Sequence, residues 1–159
     1  MANSVEINAR ELIVFLNNLT SSFDASGLFG DIGTYLVQSI LTRTDKGIDF
    51  EGQSFMPYSK SYAKVREADG KPTDHVDLFF SGQMLQSLTY DAGKHSVKLF
   101  FMNTPRQSYK GRKSGEADNP AVAFYVNELR EFFAISKEEA GQIMDMVDEY
   151  FYRVMLESH

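Results

Sequence analysis

Apolar residues recur at helical spacing at both ends of this chain and alternate only in its middle. That contrast constrains the fold more than any other feature, because helical and strand periods place side chains on different faces. It predicts an α+β domain: a small antiparallel sheet packed against N-terminal and C-terminal helices. At 159 residues the chain is expected to form a single domain, 1–159. A sheet of three or four strands with one helix-covered face is the simplest packing.

Near the start, Val5, Leu12, Phe15, Leu16 and Leu19 form a helical stripe that Ile7, Ile13 and Val14 widen, with Ser4 as a partial N-cap. Gly27 and Gly30 read as a connector, and a second helix is expected from about Asp31 to Leu41. Turn formers from Thr42 to Gly52 follow. Pro57 holds Met56 extended, and Ser59 is placed to cap a short helix from Lys60 to about Ala68, with Tyr62 and Val65 three apart on one side. Phe55, Pro57 and Tyr62 are expected to anchor this stretch.

The centre reads as strands. His75 to Phe80 alternates loosely, with Val76, Leu78 and Phe80 on one face. Gly82 interrupts that run, which calls for a positive φ or a close backbone approach. A helical turn at 83–87 leads into a hairpin that turns at Ala92, Gly93 and Lys94. Residues 103–120 form a polar loop expected to protrude, broken by Pro105, Gly111, Gly115 and Pro120. The last third is helical. Ser136 and Glu139 make a capping box ahead of a stripe of Ile143, Val147, Tyr150, Phe151 and Val154.

Chemistry is sparse. The absence of cysteine removes disulfides, thiolate metal sites and thiol catalysis. The nearest approach to a metal-ligand pattern is Asp74-His75-Val76-Asp77, where a strand would put His75 and Asp77 on one face, but it reads better as a polar strand edge or turn. Asp145, Asp148 and Glu149 read as a solvated helix face. Neither a phosphate-binding glycine loop nor a nucleophile elbow occurs, so no catalytic, cofactor-binding or metal residue is assigned and the chain is not read as an enzyme. It shows neither a signal peptide nor a membrane span. A net charge of −6 opposes wrapping of DNA, yet the loop is locally basic. Arg106, Tyr109, Lys110, Arg112 and Lys113 are therefore the candidates for contact with a partner, either nucleic-acid phosphates or acidic protein. Thirteen Phe and eight Tyr supply apolar surface for an interface as well as a core.

Three stretches carry a family resemblance. In ILTRTDKGIDFEGQSFMPYSKSYAKVRE, residues 40–67, the pattern rests on Phe55, Pro57, Ser59, Tyr62 and Val65, with Lys64 and Arg66 alongside. In LFFSGQMLQSLTY, residues 78–90, it rests on Ser81, Gly82, Met84, Leu85, Ser87 and Leu88. In LREFFAISKEEAGQIMDMVDEYF, residues 129–151, it rests on Arg130, Phe132, Phe133, Ile135 and Ser136, with Ala134 in place of a usual glycine. The chain resembles the tail-completion and neck proteins of tailed bacteriophages, the virion morphogenesis and head–tail connector group. The resemblance implies a structural virion protein without enzyme activity, metal or cofactor. It implies a homomeric ring, of six subunits rather than twelve, at the neck or the top of the tail. Its partners would be neighbouring neck, connector or tail-tube and terminator proteins, with genome DNA in the lumen a further contact. Assembly would take place in the host cytoplasm. The alternative reading is a small nucleic-acid-binding regulatory protein.

Overall fold

The computed structural model describes residues 24–111, 115 and 117–157. The elements in order are α1 (Ser26–Asp45), α2 (Lys60–Ala68), α3 (Gln83–Gln86), β1 (Leu88–Ala92), β2 (Val97–Phe101), α4 (Asn119–Leu129) and α5 (Lys137–Glu157). The protein is α+β, and the described residues hold one two-stranded antiparallel sheet, β1-β2. The helix expected over residues 5–19 lies outside the described residues. The chain groups into two compact units. One comprises the described residues of Met1–Leu36, Tyr90–Lys98 and Ile135–His159; the other comprises Val37–Thr89 and Leu99–Ala134.

In the first unit, α1 begins five residues earlier than its apolar pattern suggested, and it runs through both glycines of the expected connector. The Asp24 carboxylate accepts from the Ser26 amide at 3.0 Å and holds the first turn. Ala25, Leu28, Phe29, Ile32 and Leu36 are all buried, so the burial of one continuous face outweighs the helix cost of Gly27 and Gly30. Gly33 has a different role. A methyl group there would overlap the Tyr90 ring, whose hydroxyl bonds the Thr34 hydroxyl at 2.9 Å. The capping box of α5 forms as expected: the Glu139 amide donates to Ser136 Oγ at 3.0 Å, and the Ser136 amide donates to Glu139 Oε2 at 2.7 Å. Ala140, Ile143 and Val147 are buried along α5. The stripe then runs out: Tyr150 and Phe151 are half-buried, and Val154 is exposed.

The core of the second unit is Ile40, Phe55, Val76, Met84, Leu85, Leu88, Phe101, Ala123 and Phe132. Phe133 packs edge-on to Phe101, with ring centroids 5.0 Å apart. Ser59 caps α2 by accepting from the Tyr62 amide at 3.3 Å. Asp118 caps α4 by accepting from the Ala121 amide, which leaves Pro120 inside the first turn rather than in the preceding loop.

The expected strand at 75–80 does not form, and this limits the sheet to two strands. Side chains satisfy the backbone there instead. The Phe79 amide donates to Asp77 Oδ1, the Leu78 amide donates to the Tyr58 hydroxyl, and the carbonyls of Pro72 and Phe79 accept from Arg66. With those groups occupied, no neighbouring strand is needed. Leu78 takes φ 53°, which no ladder position permits.

Candidate interaction groove

Arg66 organises the site. It is fully buried on α2, whereas Tyr62, the expected anchor of this helix, is 38% exposed. Its Nε donates to Pro72 O at 3.0 Å, its Nη1 to Phe79 O at 3.0 Å and its Nη2 to Asp77 Oδ1 at 2.8 Å. The guanidinium also lies 4.5 Å from the centre of the Tyr58 ring. The Tyr58 hydroxyl donates to Asp77 Oδ1 at 3.1 Å and accepts from the Leu78 amide at 3.0 Å. Burial pushes the Tyr58 hydroxyl up to about 12; nearby Asp77 adds to the rise and Arg66 opposes it.

Above this buried network lies an open groove of about 590 Å³. Its floor and walls come from Met56–Ser59, Tyr62, Leu78, Phe80–Gly82, Met84, Val122 and Val126, and Leu129 stands at its rim. Gly82 sits in the left-handed region at φ 82°, and a Cβ there would lie 2.7 Å from the Phe79 ring, so the position requires glycine on both counts. Arg130 is fixed at one wall. Its Nε donates to Met56 O at 2.9 Å, its Nη2 to Pro57 O at 3.1 Å, and its guanidinium stacks 5.3 Å from the Tyr58 ring centre. Aromatic rings continue from there as a chain: Tyr58 to Tyr62 at 5.2 Å, Tyr62 to Phe80 at 6.0 Å, and Phe80 to Tyr109 at 5.4 Å. Arg106 and Arg130 are the charged side chains of the lining, which holds no carboxylate and no histidine. An apolar wall beside one guanidinium held by two carbonyls suits a peptide segment that carries both apolar and acidic side chains.

The sequence candidates divide accordingly. Phe55, Met84, Leu85, Leu88 and Phe132 are core residues, with Phe133 packed against them. Pro57, Ser59, Tyr62, Ser81, Gly82 and Arg130 line the groove. Tyr62 is half-open rather than a buried anchor, because its ring lies across the groove between Tyr58 and Phe80. Ser87 is buried and its hydroxyl donates to Met84 O at 2.7 Å.

Of the basic-loop candidates, Arg106 turns to the groove, and Tyr109 and Lys110 face residues 69–80. Lys110 Nζ donates to Asp69 O at 3.3 Å, and the Gln83 side chain clamps both backbone groups of Gln107. Arg112 and Lys113 lie outside the described residues. His75 and Asp77 part company: His75 pairs with Asp74 at 3.1 Å on the surface, which lowers the Asp74 pKa, while Asp77 turns inward to Arg66. Among the described residues no three acidic or histidine side chains gather as a metal site, and no helix is long and apolar enough to cross a membrane.

Comparison with protein-family models, with curated proteins and with solved structures finds no match. The function therefore has to be argued from the residues themselves. Sequence reasoning named Arg66 only alongside the first stretch, with no role, and did not single out Tyr58. The available signal was an arginine in a nine-residue helix, eleven residues before an aspartate.

Proposed function

We propose that this protein is a structural virion subunit of the tail-completion or neck type, forming a ring that joins or completes a phage tail and helps attach it to the head. One observation carries the reading. The three stretches that resemble the family are separate in sequence, yet most of the residues that carry the resemblance meet in one unit, Ile135 and Ser136 belonging to the other. Phe55 from the first, Met84, Leu85 and Leu88 from the second, and Phe132 from the third share one core. Pro57, Ser59 and Tyr62, then Ser81 and Gly82, then Arg130 line one groove. Residues that recur because they build one binding surface are expected to converge in this way, whereas chance matches scattered along a chain are not.

In this reading the groove takes a neighbouring subunit, and the exposed apolar residues of its lining, Met56 and Leu129, are interface positions. The inward contacts of Tyr109 and Lys110 favour protein over DNA as the partner on this face. The decisive experiment is cryo-EM of particles produced with and without the gene. Six copies in a ring at the head–tail joint, with unjoined heads and tails in the deletion, is the expected result. Complete infectious particles that lack the chain would overturn the proposal.

A further inference from the structure

One face of α4 is apolar and uncovered. Phe124 is 61% exposed, Tyr125 65% and Leu129 61%, and the Phe124 and Tyr125 rings meet edge-on with centroids 5.8 Å apart. Positions 124, 125, 128 and 129 fall together on a helix, so Glu128, also exposed, sits among these three side chains. The rest of the helix is already in use. Asn119 and Ala123 are buried, and Val122 and Val126 line the groove.

The size of this face is that of an interface. Its three large side chains expose roughly 100–150 Å² apiece, about 300–450 Å² per copy. A standard interface covers about 800 Å² per partner, a little over half of it apolar. The face therefore supplies most of the apolar area that one side of a stable dimer needs.

Glu128 decides the occupant. Against a lipid surface its carboxylate would lose water without gaining a donor. It fits a partner that offers apolar area with a hydrogen-bond donor at one point, and this same face carries both. The Tyr125 hydroxyl donates, a carboxylate accepts, and the two residues are three positions apart. When two such helices pack antiparallel, positions three apart meet in layers, one from each copy. Tyr125 of one copy then lies across from Glu128 and Leu129 of the other, and the two-fold axis makes the contact twice. The helix dipoles oppose one another in the same arrangement.

We propose that α4 is a self-pairing surface. Two copies of this chain pack these faces antiparallel about a two-fold axis, and the Tyr125 hydroxyl of each donates to the Glu128 carboxylate of the other. The inference goes beyond the ring reading. A two-fold contact uses one patch twice and stops at two copies, whereas a ring needs two different patches. Leu129 belongs to this face and to the groove lining, so the pair is a state of the subunit outside the ring.

The test uses the full chain and substitutions at exposed positions, with circular dichroism to check folding. In sedimentation the unmodified chain is expected to pass from one copy to two with concentration and to go no further. Tyr125→Glu sets two carboxylates against each other and is expected to weaken the pair about tenfold or more. A chain carrying both Tyr125→Glu and Glu128→Arg recovers it, and the recovered pair weakens with added salt because it is now held by ions. An unmodified chain that stays monomeric overturns the proposal. So does Tyr125→Glu pairing as well as the unmodified chain, or a folded double variant that fails to recover. A monomer that instead sediments with phosphatidylcholine vesicles, and loses them on Tyr125→Glu, assigns the face to lipid. Particle images separate this from the functional reading: a neck ring built from a chain that never pairs removes only the α4 contact, and pairing with no copies in the particle removes only the virion reading.

Discussion

Arg66 reaches three points in the segment 72–79, and Asp77 is the only carboxylate among them. The pair is buried on both sides, with side-chain exposures of 1% and 9%. Asp77→Ala leaves an uncompensated guanidinium in the interior and is expected to cost about 3–5 kcal/mol in urea denaturation. A loss near zero would mean that solvent reaches Arg66. Tyr58 gives a pH test. Its hydroxyl is neutral when protonated, and the folded chain holds that proton up to about 12 against 10.0 for the free group. The folded pKa is raised, so this contribution to stability is whole below pH 10 and falls as the pH rises from 10 through 12. Tyr58→Phe removes that part of the alkaline decline, and the difference between the two pH profiles isolates it from the other tyrosines. The sequence showed three outer members of this site, Pro57, Ser59 and Gly82, because prolines, caps and glycines act through the local backbone, while Arg130 entered only through the family resemblance. It hid Arg66 and Asp77, because a buried ion pair is defined only by a partner brought close in space.

At the level of elements, glycine separates two kinds of position on α1. Gly30 has nothing within 4 Å of its missing Cβ, so Gly30→Ala is expected to stabilise by about 0.5–1 kcal/mol through helix propensity. Gly33 faces the Tyr90 ring, and Gly33→Ala is expected to destabilise by about 1–3 kcal/mol despite the same propensity gain. Thermal melts of the two variants should therefore move in opposite directions; a shared direction would show that the Tyr90 ring yields without cost. Gly27 and Gly30 misplaced the start of α1 in the sequence reading, because a weak penalty for each was read as a break. The α2 cap, the α5 capping box and the hairpin turn around Gly93 were legible, since each depends on residues a few positions apart. The stretch 75–80 was not. Extended backbone looks the same in sequence whether its polar groups meet a strand or the side chains of Tyr58, Arg66 and Asp77.

For the whole molecule, the ring reading fixes a number. Six copies joined head to tail require about 60° of rotation from each subunit to the next. Symmetry analysis of the assembled joint checks this, and a count other than six or twelve would exclude the assignment. The chain's own layout bears on how such a subunit can be taken apart. Each of its two units is assembled from non-adjacent stretches, and the path changes unit after Leu36, Thr89, Lys98 and Ala134. Neither unit is encoded by a continuous segment, so no truncation deletes one and spares the other. A nick between Tyr109 and Asn119 would leave two fragments, each holding part of both units. Regaining the fold would then be a bimolecular reaction, with a yield that rises with fragment concentration rather than being set by either piece alone.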